Sequence, residues 1–171
     1  MARIPYPESN EVPENVKKYI DQTPRLNILR MMSRSGNLSD CFGTFAFHIL
    51  ADTKLDPIFR EIAILRVGYV SKSAYEVFYH EEMIRKLGMS EEKIKAIQDD
   101  IKSPLFTDME RLVLEITDEI IHHVKMSDAR FEKIHSLLSY QEVMELVMAI
   151  SFYMLACRFL ENYEIDLDEE S

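Results

Sequence analysis

Four residues within one stretch have the types and the spacing that chemistry needs: Glu61, Ser73, Glu76 and His80. Glu76 and His80 are four residues apart, so a helix sets them on one face. Glu61 precedes them by 15 and 19 residues, which places it on a neighbouring helix. A carboxylate beside an imidazole orients the ring and favours its protonated form. Two carboxylates and one imidazole gathered in one place can hold, deliver or withdraw a proton. The same set can also ligate a divalent cation.

The segment that must position them, residues 55–90, reads as two consecutive helices joined by a short polar turn and running antiparallel. Asp56 and Pro57 supply an N-cap and a first helical residue. The helix over 57–70 is apolar almost all round, through Ile62, Ala63, Ile64, Leu65, Val67, Gly68, Tyr69 and Val70. Such a helix is buried, and a carboxylate within it must be paired, protonated or facing a cavity. The second helix begins near Ser73 and ends at Leu87, with Gly88 as its C′ glycine. Plainer readings stand beside the chemical ones. Ser73 and Glu76 spell S-x-x-E, which a capping box alone explains. The same helix start also stabilises an anion through its unsatisfied amides. Arg60 and Arg66 each carry a fork that fits a substrate carboxylate, or a salt bridge to a helix neighbour. His48 shares a stripe with Cys41 and Phe45 and lines a pocket or packs in a core. Phe152 and Tyr153 close the pocket or pack likewise, and His122 and His123 read as a solvated helix end.

The frame REIAILRV, Arg60 to Val67, followed by Tyr75-Glu76-x-x-x-His80, resembles the carboxymuconolactone decarboxylase / alkylhydroperoxidase D superfamily. In the peroxidase branch a helical Glu, here Glu61, is followed by Cys-x-x-Cys and then His. Ser73 and Glu76 stand at the two cysteine positions and His80 at the histidine. Dithiol peroxide chemistry therefore has neither nucleophile nor resolving thiol at that place. The decarboxylase branch carries the Tyr-Glu-x-x-x-His found here, and residues 146–167 look like the closing helix of the longer members. The resemblance implies an all-α fold of this type and a homo-oligomer, commonly a trimer or hexamer, with the site near a subunit contact. It implies cofactor-free, metal-free acid–base chemistry on a small carboxylated lactone or related acid. Glu61, Glu76 and His80 are then catalytic, and Ser73, Tyr75, Arg66 and His48 bind substrate. A hydroperoxide-reducing enzyme, a non-catalytic ligand-binding module and a metal-dependent hydrolase are the alternatives.

Composition supports this frame. With 171 residues the chain fits one domain, spanning 1–171, with an extended arm at 1–12 and a mobile acidic tail at 166–171. Its hydrophobic share of 47% is that of a globular protein. A net charge of −10 without a basic cluster disfavours nucleic acid. Cys41 and Cys157 form no redox or zinc pattern, which suits free thiols in a reducing cytoplasm. No apolar leader opens the sequence, and the apolar run at 146–157 is too short to cross a membrane. Helices are expected from residue 13 or 14 to 20, after Thr23-Pro24 to Ser33, and over 38–51. More follow after Ser90, after the capping box Thr107 to Glu110, after Ser127, and after the box Ser139 to Glu142. No alternation of period two appears, so the chain reads as all-α.

Overall fold

The structure, a computed structural model, describes residues 1–8, 10–14, 16–17 and 26–168. Its elements are α1 (Asn27–Met32), a 3-10 turn (Ser33–Ser35), α2 (Asn37–Ala51), α3 (Pro57–Ser71), α4 (Ala74–Lys86), α5 (Glu91–Asp99), α6 (Asp108–His123), α7 (Asp128–His135) and α8 (Tyr140–Tyr163). No strand occurs among the described residues, so the all-α expectation is met. The helix start expected at Thr23-Pro24, and most of the one expected from residue 13 or 14, lie outside the described residues. The chain divides into two compact units, 53–158 and a second made of 1–52 with 159–171.

Within 53–158, α3 is the central element and packs against α4, α5 and α6. Ile62, Ala63, Ile64, Leu65 and Val67 are all fully buried, as an all-round apolar helix requires. Its start is fixed twice. Asp56 accepts the Ile58 N–H at 2.8 Å, and Glu145 of α8 accepts the N–H groups of Lys54 and Leu55, both at 2.8 Å. Its end is a Schellman closure: Lys72 N–H donates to the Tyr69 carbonyl and Ser73 N–H to that of Gly68. Lys72 takes the left-handed conformation there, with φ +56°, a place usually filled by glycine. The chain thus reverses directly into α4. Gly68 lets the two helices approach closely, since a Cβ at this position would lie 3.3 Å from Val77 Cγ2 and 3.5 Å from Glu76 Cβ. Helix α4 stops at Gly88, whose φ of +90° serves a second Schellman closure, as the sequence predicts. The box of Thr107 and Glu110 opens α6 as predicted.

In the other unit the first residues and the last described ones are clipped together. The Ala2 N–H donates to the Asp166 carboxylate, Tyr6 bonds the same group, and the Asn27 N–H donates to Asp168 at 2.6 Å. Over its described part, the tail expected to be mobile is therefore tied down. The apolar stripe of α2 behaves differently from a core stripe: of Phe42, Phe45 and Ile49 only Ile49 is buried, and Phe45 is exposed. By length and composition α8 is long and apolar enough to cross a membrane, because the helix extends beyond the apolar run at both ends. Half of its most apolar window is buried inside this chain, and the core helix of a globular protein passes the same test.

Candidate active site

The antiparallel hairpin of α3 and α4 brings Glu61 and His80 into direct contact. The imidazole Nδ1 lies 2.7 Å from Glu61 Oε2, and Nε2 lies 3.3 Å from Glu76 Oε2. The other oxygen of Glu61 accepts from Nε of Arg60 at 3.1 Å. The ring of Tyr153, on α8, meets His80 edge to face with centroids 4.7 Å apart. All of this is inside the fold: Glu61 is 0% exposed, His80 4%, Tyr153 5%, Glu76 6% and Arg60 7%. The result is a buried row of alternating charge, Arg60, Glu61, His80, Glu76.

Burial alone would lower the pKa of His80, but the hydrogen bonds to Glu61 and then Glu76, with the charge of both, push it up to about 9. His80 is therefore an imidazolium at neutral pH, with a proton on each ring nitrogen. The Tyr153 hydroxyl is held well above its ordinary range by burial first and by the two carboxylates second, so it stays a neutral phenol. Glu61 and Glu76 face opposite nitrogens of the ring and do not converge on a point. Among the described residues no three His, Cys, Asp or Glu side chains are arranged to hold a metal ion.

The S-x-x-E box expected at the start of α4 does not form. Ser73 is the N-cap residue but makes no side-chain capping bond, and its hydroxyl, fully buried, has no partner among the described residues. Glu76 turns away to His80 instead of back to the helix start. Two other boxes with the same spelling, Thr107/Glu110 and Ser139/Glu142, do close. Local geometry favours the box; a buried imidazolium one turn away offers Glu76 more. The melting behaviour should show the difference. Thr107→Ala is expected to cost about 1 kcal/mol, the usual value of a cap. Ser73→Ala should leave stability unchanged or raise it, because it removes a desolvated and unpaired hydroxyl. A loss at Ser73 as large as that at Thr107 would contradict this geometry.

The remaining residues expected to bind substrate are placed elsewhere. Arg66 is fully engaged: Nε and Nη2 hold Asp118 of α6 at 2.7 and 2.9 Å, and Nη1 caps the end of α5 through the carbonyls of Ile97 and Gln98. Its fork is filled by a salt bridge, to a residue of another helix and not to the helix neighbour expected. Tyr75 is buried against Tyr79, on a different stripe of α4 from Glu76 and His80. His48 belongs to the other unit, where its side chain is 55% exposed and pairs with Asp52 at 3.1 Å. The residues the fold adds to the predicted trio are Arg60, from the hairpin, and Tyr153, from α8. Neighbouring Arg60 and Arg66 look alike in sequence; only Asp118, 52 residues beyond Arg66, tells them apart.

The sequence pattern of the Carboxymuconolactone decarboxylase family matches residues 38–119, a span that contains Glu61, Glu76 and His80. Over that span, a little under half of the chain, the sequence is similar to this family. Solved structures agree on the fold. An alkylhydroperoxidase AhpD core, an uncharacterized peroxidase-related protein from Ralstonia eutropha JMP134, superposes with a TM-score of 0.85 at 14% identity, covering 98% of this chain and 93% of that one. A peroxidase-related protein from Silicibacter sp. TM1040 gives 0.84 at 13% identity, covering 98% and 92%. The debrominase Bmp8, solved as a cysteine-to-alanine variant with 2,3,4-tribromopyrrole, gives 0.79 at 13% identity, covering 98% and 94%. Comparison with curated proteins found no match. The matched span holds the helical hairpin and its Glu–His contact.

Proposed function

We propose that the Glu61–His80–Glu76 array performs cofactor-free acid–base chemistry on a small carboxylated lactone or related acid, with decarboxylation as the reaction. The observation that carries this reading is the buried imidazole gripped at both nitrogens by carboxylates, which makes His80 a proton donor at neutral pH. In the reaction the bond between the substrate carbon and its carboxylate breaks. Carbon dioxide leaves, and the electron pair enters the conjugated carbonyl as an enolate. A proton then returns to carbon. The Nδ1 proton is held by the shorter contact to Glu61, so the working edge of the ring is Nε2, whose contact to Glu76 is the longer one. The electron-rich enolate takes its proton from this edge, directly or through Glu76. Glu61 orients the ring and is the stronger of the two influences on its charge, a share that reasoning from sequence gives to Glu76.

Incubation with carboxymuconolactone in heavy water tests the proposal. The expected products are carbon dioxide and a lactone carrying one solvent-derived deuterium. His80→Ala should abolish both, while joint replacement of Cys41 and Cys157 by Ala should leave turnover per folded molecule unchanged. Reduction of an organic hydroperoxide that depends on thiol and disappears with either cysteine would replace this reading with the peroxidase one.

A further inference from the structure

Arg60 is a largely buried charged side chain of which the fold engages only one nitrogen among the described residues. It is 9% exposed at the side chain, and its only hydrogen bond among the described residues runs from Nε to Glu61. Among the described residues its two terminal nitrogens, Nη1 and Nη2, have no hydrogen-bond partner. They carry four of the five N–H groups of a guanidinium in a planar fork. Neither nitrogen is among the sealed, unpartnered polar atoms of the fold, so the fork opens outward, where water or an anion can fill it. Arg66, six residues on, shows the contrast, since the same fork there is filled by a carboxylate and two carbonyls. The charge of Arg60 is felt at Tyr153, whose ring lies against His80, so the open fork belongs to the same cluster as the imidazolium. The whole chain carries −10, and an anion entering this cluster needs a local cation.

We propose that Arg60 is the carboxylate-recognition residue of this site, binding a carboxylate of a small organic acid through Nη1 and Nη2 while Nε stays on Glu61. This deepens the acid–base reading above and rests on it for the role of the neighbouring relay. It also says which carboxylate is bound. A guanidinium gripping a carboxylate about to leave as carbon dioxide would stabilise the ground state more than the transition state. The group on Arg60 is therefore one that the substrate keeps, and its attachment positions the reacting carbon against the Nε2 edge of His80.

Binding of three acids, acetate, benzoate and 5-oxotetrahydrofuran-2-carboxylate, is to be compared with binding of their primary amides by calorimetry. The wild-type protein should prefer at least one acid to its amide by about tenfold or more, the worth of a charge-assisted pair. Arg60→Gln should erase the preference, and Arg60→Lys, which keeps the charge but loses the fork, should retain part of it. A purely structural Arg60 would weaken acid and amide alike and leave their ratio unchanged. No preference for any acid in the wild type, or a preference that survives in Arg60→Gln, overturns the proposal. Thermal melts on both variants establish that the ratio is read on folded protein. Acid binding through Arg60 in a protein that releases no carbon dioxide keeps this assignment and removes the decarboxylation reading. Carbon dioxide release that is indifferent to Arg60→Gln does the reverse.

Discussion

Glu61→Ala is expected to be the most damaging single substitution in the chain, costing about 3–5 kcal/mol of stability, the usual result of breaking a buried ion pair. Glu61 is fully buried and serves two cations at once, His80 through one oxygen and Arg60 through the other. Its removal leaves Glu76 as the single carboxylate among the described residues in contact with His80, at the longer distance of 3.3 Å. A cavity then sits beside Ile62 and Leu65, both fully buried. Glu61→Gln should cost less, since the amide oxygen can still accept from Nδ1, but the imidazole should lose its proton at lower pH. Denaturant unfolding of the two variants separates the effects. Equal and small losses, below about 1 kcal/mol, would mean that the row contributes little.

The second large effect is a loss of stability in alkali. In the unfolded chain His80 titrates near its ordinary 6.5, and in the folded protein it holds its proton up to about 9. Below pH 6.5 both states are protonated and the contribution of the Glu61–His80–Glu76 contacts is present in full. As pH rises from 6.5 through 9 the unfolded state has released a proton that the folded state still holds, so stability falls. The total is on the order of 3 kcal/mol. Unfolding free energies of the wild type minus those of His80→Gln, measured from pH 6 to 10, isolate this group from the others that titrate nearby. A difference that is flat over this range, or that rises, refutes the assigned charge.

What the sequence made legible was the part decided locally. The Asp56-Pro57 start, the Gly88 stop and the Thr107 box each involve residues within one or two turns, and each is found as read. The pairing of Glu61 with the Glu76–His80 face was legible as well, because consecutive helices with a short connection have few ways to pack. The turn between them could be placed but not explained, since it relies on a left-handed Lys72 and not on a glycine. Ser73 misled for a physical reason: its box partner pairs instead with His80, one turn on in the same helix, whose charge Glu61 of the neighbouring helix helps to hold. Arg60 and Arg66 could not be ranked, because what separates them is a distant aspartate. The stripe of α2 is apolar in sequence yet largely exposed, and periodicity alone does not say what covers a face.

The central claim is that a buried imidazolium, held by two carboxylates, supplies the proton. Nitrogen-edited NMR of the imidazole ring of His80 across pH 5 to 10 tests it most directly. The account predicts two protonated ring nitrogens through neutral pH and a transition near 9, moved to lower pH by Glu61→Gln and, to a smaller extent, by Glu76→Gln. A neutral ring at pH 7, or a transition at or below the ordinary 6.5 of histidine, would contradict it.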